Sequence, residues 1–297
     1  MIEIPDELVA TQIKYNGDAG RAFLEALPGR AAEFTERWGL RVTGAAMHGV
    51  ASLALPVVRR DGTHAVLKLQ LRDGESDGEW LALRTWDGDG VVRLLECDAD
   101  TATLLLERLD GGRHLSVVED DRAAVRILAE LLARLTAVPA PATGLRRLGD
   151  IAAGMLDRVP GVVGALADVE ERRLLRDCAA AVREVAAEPG GRLLHWDLHY
   201  GNILAAEREP WLAIDPKPLA GDPGFELLPA LWNRFEPQAT LWRFDLLTER
   251  LGLDRGRARA WTLGRVLQNS LWAVADGGGD GVLDERHVSI ARNLLAR

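Results

Sequence analysis

His195-Trp196-Asp197-Leu198-His199-Tyr200-Gly201-Asn202, followed shortly by Trp211-Leu212-Ala213-Ile214-Asp215, is the stretch that decides the fold. It sets His-x-Asp-x₄-Asn on a loop and then runs a short apolar strand into a second acid. Phosphoryl transfer from a nucleotide needs this set of groups. One Asp accepts or orients the proton of an attacking hydroxyl, while an Asn and a further Asp hold the metal that bridges the phosphates.

Upstream, Ala65-Val66-Leu67-Lys68-Leu69 reads as an apolar strand carrying one lysine. Lys14, Lys68 and Lys217 are the only lysines among 36 basic residues, so a lysine inside a motif is informative. The plain alternative is a solvent-facing charge on an alternating strand. The functional reading is a lysine that pairs the nucleotide phosphates and is held by a helix glutamate. A helix from Glu75 to Trp86 puts Glu79, Leu83 and Trp86 on one face. A glutamate facing the sheet there needs a cation, so Lys68–Glu79 is the expected pair, with Glu75 as second candidate.

Around these, Ala51 to Arg59 and Thr63 to Leu71 form strands joined by an Asp61-Gly62 hairpin turn. The preceding Thr43 to Ser52 segment is a candidate phosphate-covering loop, although it lacks a full G-x-G-x-x-G. A helix is expected from Asp18 to Trp38, kinked or split at Pro28-Gly29. Strands follow at Val91 to Glu96 and Thr101 to Glu107, and Leu109-Asp110-Gly111-Gly112 is a Gly-rich break between a strand-rich and a helix-rich half. Ser116-x-x-Glu119 reads as a capping box opening a helix that ends before Pro139. Further helices are expected at about 146–158 and 169–187, from Gly224 through Trp232, and over 240–297 with a loop at Asp276 to Gly281.

The chain has 297 residues, 47% hydrophobic and 27% charged, enough for one large domain or two lobes with a sizeable core. A formal charge of −9 argues against nucleic acid and is compatible with a cationic small molecule. No apolar run approaches the roughly 20 residues of a membrane span. Met1 to Glu7 is acidic and unlike a signal peptide, and Cys97 and Cys178 form no CxxC pair, so the cytoplasm is the expected compartment. His195, Asp197 and His199 also suggest zinc, but a third downstream ligand at recognisable spacing is missing. Gly-x-Ser-x-Gly and G-x-x-x-x-G-K-[ST] are both absent, which weighs against a serine hydrolase and a P-loop kinase.

His195 to Leu204 followed by Trp211 to Pro218 resembles the aminoglycoside phosphotransferase superfamily, in its branch of streptomycin 6-kinases and hydroxyurea phosphotransferases. Trp86-Asp87-Gly88-Asp89-Gly90-Val91-Val92-Arg93-Leu94-Leu95 and Gly221-Asp222-Pro223-Gly224-Phe225 are similar to that branch as well. The resemblance implies an α+β, bilobal protein-kinase-like fold: a small mixed N-lobe with an antiparallel sheet over 1–109 and a larger, mainly helical C-lobe over 110–297. It implies an ATP- and Mg²⁺-dependent O-phosphotransferase acting on a small-molecule acceptor, streptomycin-like or hydroxyurea. A metabolic kinase for a sugar, amino sugar or amino alcohol is the alternative.

By motif match, Asp197 is the catalytic carboxylate, and Asn202 and Asp215 are the Mg²⁺ ligands. His195 holds the loop by hydrogen bonds. Lys68 binds phosphate, Glu79 anchors it, and Glu107, Arg108 and Leu109 offer backbone groups to the adenine. Lys217 is expected to add positive charge near the phosphates. Trp196 stands where the family often has glycine, and Asp215-Pro216-Lys217 replaces Asp-Phe-Gly. Trp232 is a candidate for the acceptor pocket.

Overall fold

The computed structural model describes residues 2–275 and 283–296, so the loop expected at Asp276 to Gly281 lies outside the described residues. The chain divides into two compact units, Met1–Asp110 with Ala206–Pro210, and Gly111–Ala205 with Trp211–Arg297.

The first unit contains α1 (Asp6–Arg37), β1 (Arg41–Val42), β2 (Met47–His48), β3 (Ser52–Val58), β4 (His64–Gln70), α2 (Glu79–Trp86), β5 (Leu94–Asp98) and β6 (Thr103–Glu107). The strands form one antiparallel sheet in the order β1-β3-β4-β6-β5, with β2 also paired to β3. Alternation along β4 buries Ala65, Leu67 and Leu69 with Leu53, Leu55 and Val57 of β3 and with Phe23, Leu27, Ala31 and Phe34 of α1. Lys68 points to the opposite face, between Ala54 and Leu104 in the ladder.

Two expectations change here. The helix begins at Asp6 and breaks at Gly17 (φ 51°, ψ −122°), while Pro28 sits inside a regular helical run. Glycine has no Cβ to clash at positive φ, whereas a proline costs one N–H bond that the packed face of Phe23, Leu27 and Phe34 offsets. The second helix starts at Glu79 rather than Glu75, because Gly78 (φ 98°) turns the chain just before it.

The second unit contains β7 (Asp110–His114), α3 (Asp121–Thr136), β8 (Arg146–Arg147), α4 (Leu148–Ala165), α5 (Val169–Val185), β9 (Arg192–Leu194), β10 (Ile203–Ala205), β11 (Trp211–Ala213), β12 (Leu219–Gly221), α6 (Leu227–Trp232), α7 (Thr240–Leu251), α8 (Arg255–Ala275) and α9 (Glu285–Leu295). Two three-stranded sheets, β11-β10-β7 and β8-β12-β9, frame the loop from His195 to Asn202. Helix α8 packs on α5 and α4 and carries buried Trp261, Val266, Leu267 and Leu271.

The residues expected to form a Gly-rich break begin strand β7 instead, since pairing with β10 satisfies their backbone. Helix α3 is capped by Asp120, whose carboxylate accepts from the Arg122 and Ala123 amides; Ser116 lies in a separate 3₁₀ turn. Among the described residues no helix is long and apolar enough to cross a membrane.

Candidate active site

In the second unit, the loop after β9 is held from below by two buried residues. His195 has no exposed surface; its Nε2 donates to the Ile214 carbonyl at 3.0 Å, and its Nδ1 accepts from the Asp197 amide at 3.4 Å. Burial pushes this imidazole down to about 4, so it is neutral at physiological pH, as one donating and one accepting nitrogen require. The Lys217 amide closes the connection by donating to the His195 carbonyl at 3.0 Å. His195 thus ties the loop to the chain around Asp215.

The second buried residue is Glu226. Its Oε1 accepts the Trp196 amide at 2.6 Å, and it has no exposed surface. Trp196 adopts φ 67°, the left-handed region that disfavours a bulky side chain. The indole is 1% exposed, with the Arg146 guanidinium 4.3 Å and the Arg265 guanidinium 4.2 Å from its ring centroid and Trp272 against its edge. Backbone strain of this kind costs on the order of 1–3 kcal/mol. Desolvated cation–π contacts contribute about 2 kcal/mol each, so the stacking offsets the strain.

Asp197 follows, half-buried. Burial raises its carboxyl, and Asp215 adds to that effect; Lys217, His199 and Arg265 oppose it. Lys217 Nζ lies 3.9 Å from Asp197 Oδ2. The Asn202 amide nitrogen donates to the Asp197 carbonyl at 3.0 Å, and the Ile214 amide donates to the Asn202 carbonyl at 2.9 Å. With β10 and β11 in register, Asn202 and Asp215 therefore stand at one end of the same hairpin. Both offer oxygen donors, the kind a hard cation such as Mg²⁺ takes. His199 is occupied differently from a zinc ligand: its Nδ1 accepts the Gly201 amide at 3.0 Å and caps the 3₁₀ turn.

Beside Asp197 opens a pocket of about 430 Å³, lined by His199, Leu228, Pro229, Trp232, Asn233, Arg234, Arg265 and Asn269. Trp232 is thus a pocket residue. A larger cavity of about 640 Å³ around Asp222 and Arg257 contains none of the candidate residues, and Arg257 is already engaged there by Asp222 and Glu188.

In the first unit, Lys68 Nζ lies 2.7 Å from Glu79 Oε1 and 2.8 Å from Oε2, with both side chains under a tenth exposed. Gln70 Nε2 adds a further bond to Glu79 Oε2 at 2.8 Å. Glu79 thus pairs with Lys68. The Glu107 carboxylate accepts the Arg93 amide at 2.7 Å and the Arg208 guanidinium at 2.7 to 3.1 Å. Arg208 also donates to the Val91 carbonyl at 2.7 Å. Arg108 and Leu109 form the short irregular link between β6 and β7.

Sequence reasoning missed Glu226, Arg265, Asn269 and Arg208. Glu226 and Asn269 lie in apolar helical runs with no spacing relative to the loop. Arg208 is one basic residue in the turn Ala206-Glu207-Arg208-Glu209-Pro210.

This fold and this loop define a phosphotransferase of kinase type, and the chain belongs to the aminoglycoside/hydroxyurea antibiotic resistance kinase family, whose sequence profile matches residues 37–277. It is 68% identical over 299 residues to a hydroxyurea phosphotransferase of Kitasatospora aureofaciens, covering 100% of this chain and 87% of that protein. It is 56% identical over 302 residues to a streptomycin 6-kinase of Streptomyces glaucescens, covering 99% and 97%. The crystal structure of the aminoglycoside phosphotransferase APH(4)-Ia shares the fold at a TM-score of 0.63 and 18% identity, over 90% of this chain and 98% of that one. The α+β protein-kinase-like fold class is therefore that of this chain. The protein is an enzyme, an antibiotic-modifying phosphotransferase that acts on a small molecule.

Burial raises the Glu226 carboxyl to about 7 from 4.5, against the opposing bond from the Trp196 amide and the charge of Arg265. Between those values the folded chain keeps a proton that the unfolded chain has lost, so stability falls as pH rises across that window. Glu226→Gln keeps the acceptor oxygen and removes the titration. Its stability relative to wild type, measured by urea unfolding, is expected to improve steadily from about pH 5 to about pH 7. A constant difference between the two across that range contradicts the assignment.

Proposed function

We propose that the protein transfers the γ-phosphoryl group of ATP, with Mg²⁺, to a hydroxyl of hydroxyurea or of a streptomycin-like aminoglycoside. The observation that carries this reading is the position of Asp197, whose carboxylate lines the pocket while its backbone is bonded to the Asn202 side chain. In this reading the acceptor hydroxyl sits in the pocket and gives its proton to Asp197. Its oxygen forms the new bond to phosphorus, the bond to the bridging oxygen breaks, and ADP leaves.

Residues 1–109 serve as the nucleotide-holding lobe, with Lys68 on the phosphates, Glu79 as its anchor, and Glu107 to Leu109 offering backbone groups to adenine. Residues 110–297 serve as the catalytic and acceptor lobe. Asn202 and Asp215 would hold the Mg²⁺, which supplies charge neutralisation on the phosphates. Lys217 serves both to steady the Asp197 carboxylate and to add positive charge. Positioning and electrostatics do most of the work, since this chemistry needs little covalent help. ATP as donor places the reaction in the cytoplasm. A hydroxyurea phosphotransferase and a streptomycin 6-kinase among the relatives support this acceptor class over a sugar or amino alcohol.

Coupled ADP release with Mg-ATP, measured separately with hydroxyurea, streptomycin, choline and a simple amino sugar, tests the acceptor. Turnover with hydroxyurea or streptomycin well above the other two is the expected result. Efficient use of choline or the amino sugar instead would sink the antibiotic acceptor.

The charge of Lys217 lowers the Asp197 carboxyl against the burial that raises it. Lys217→Ala is therefore expected to move the acidic limb of the kcat profile to higher pH. An acidic limb that stays in place shows that Asp197 is not the group titrating there, or that Lys217 does not act on it.

A further inference from the structure

The part of α1 before the Gly17 break forms an arm against the turn between β2 and β3. Gln12 is the polar residue of that arm with no exposed surface at all. Its Nε2 donates to the Val50 carbonyl at 3.0 Å, and its Oε1 accepts from Asn16 Nδ2 at 3.1 Å. Leu8, also fully buried, packs into the same core as Leu53 and Leu55 of β3. Glu7 adds an exposed contact to His48 at 3.2 Å. The turn itself closes by a bond from the Gly49 amide to the Ser52 carbonyl at 3.0 Å, and it leaves the Val50 side chain 70% exposed.

A buried amide is costly unless both of its ends are bonded, and this one is bonded at both. The bond to Val50 has a directional consequence. In a trans peptide the C=O and the following N–H point opposite ways. A Val50 carbonyl turned toward Gln12 therefore aims the Ala51 N–H away from the arm. A backbone N–H aimed outward in a turn is a donor suited to phosphate oxygens.

We propose that Gln12 is a positioning residue for the nucleotide: it sets the orientation of the Val50–Ala51 peptide so that the turn can receive the phosphates of ATP. This rests on the reading of ATP as phosphoryl donor. Gln12 touches neither substrate nor reacting atoms, and its effect is confined to nucleotide binding.

The test is steady-state kinetics of the full chain with Gln12→Met, which keeps the length of the side chain and loses the donor, and with Gln12→Glu, which keeps the acceptor for Asn16 and loses the bond to Val50. Both are expected to raise the KM for ATP about tenfold, equivalent to about 1.4 kcal/mol, while kcat and the acceptor KM stay within about twofold. A lowered melting temperature with an unchanged KM for ATP overturns the proposal, because a merely structural residue would behave that way. If Gln12→Met fails to fold, Asn16→Ala, which withdraws only the bond to Oε1, is expected to raise the same KM by a smaller factor, and no rise overturns the proposal. Wild-type protein with no ATP-dependent turnover on any acceptor would bring down the proposed function and this inference together. Wild-type turnover with variants of unaltered KM would bring down this inference alone.

Discussion

The site depends on a single peptide N–H. Trp196 sits in left-handed backbone with its amide turned down onto the buried Glu226 carboxylate, and the residue after it is Asp197. Without that acceptor, a bulky residue at positive φ has no reason to stay there. Stacking of the indole between Arg146 and Arg265 holds the side chain, and the hydrogen bond holds the main chain. His195 completes the support from the other side through the Ile214 carbonyl. Three buried side chains thus hold one loop, and the loop presents the carboxylate.

The first unit meets a comparable demand in a different way. Lys68 is a cation placed on a buried strand face, tolerable because Glu79 meets it with both oxygens and Gln70 secures Glu79. Removing one member of such a pair leaves an uncompensated charge and costs about 3–5 kcal/mol. Under the proposed function, an ammonium fixed in this way would need no reorganisation when charge develops on the phosphates. The same logic governs Arg208 and Glu107, which fix the end of β6 by a fork of hydrogen bonds.

Much of this was legible in the sequence, because its chemistry is written in local spacing. The order of His195, Asp197, Asn202 and Asp215 is compact. The Asp61-Gly62 turn declared its hairpin, and Glu79 revealed itself by sharing a helix face with Leu83 and Trp86. What escaped reading acts over long sequence distances. Glu226 follows Trp196 by thirty residues, and nothing in Phe225-Glu226-Leu227-Leu228 tells a buried acceptor from an exposed acid. Arg265 and Asn269 line the pocket from the interior of α8, where helical periodicity alone assigns them to packing. The break in α1 falls at Gly17 and not at Pro28, because a proline can be absorbed where a helix is firmly packed, while a glycine at positive φ ends regular helix outright. The cap is Asp120 and not Ser116, because Asp120 adjoins the helix start and its carboxylate bonds the free Arg122 and Ala123 amides, while Ser116 lies in a 3₁₀ turn further back.

In the proposed reaction Asp197 receives the proton of the acceptor hydroxyl and takes no part in binding Mg-ATP. Asp197→Asn, assayed for turnover and for Mg-ATP affinity in the same preparation, tests it most directly. In that variant kcat is expected to fall by orders of magnitude while the dissociation constant for Mg-ATP changes little. Turnover comparable to wild type in that variant would contradict it.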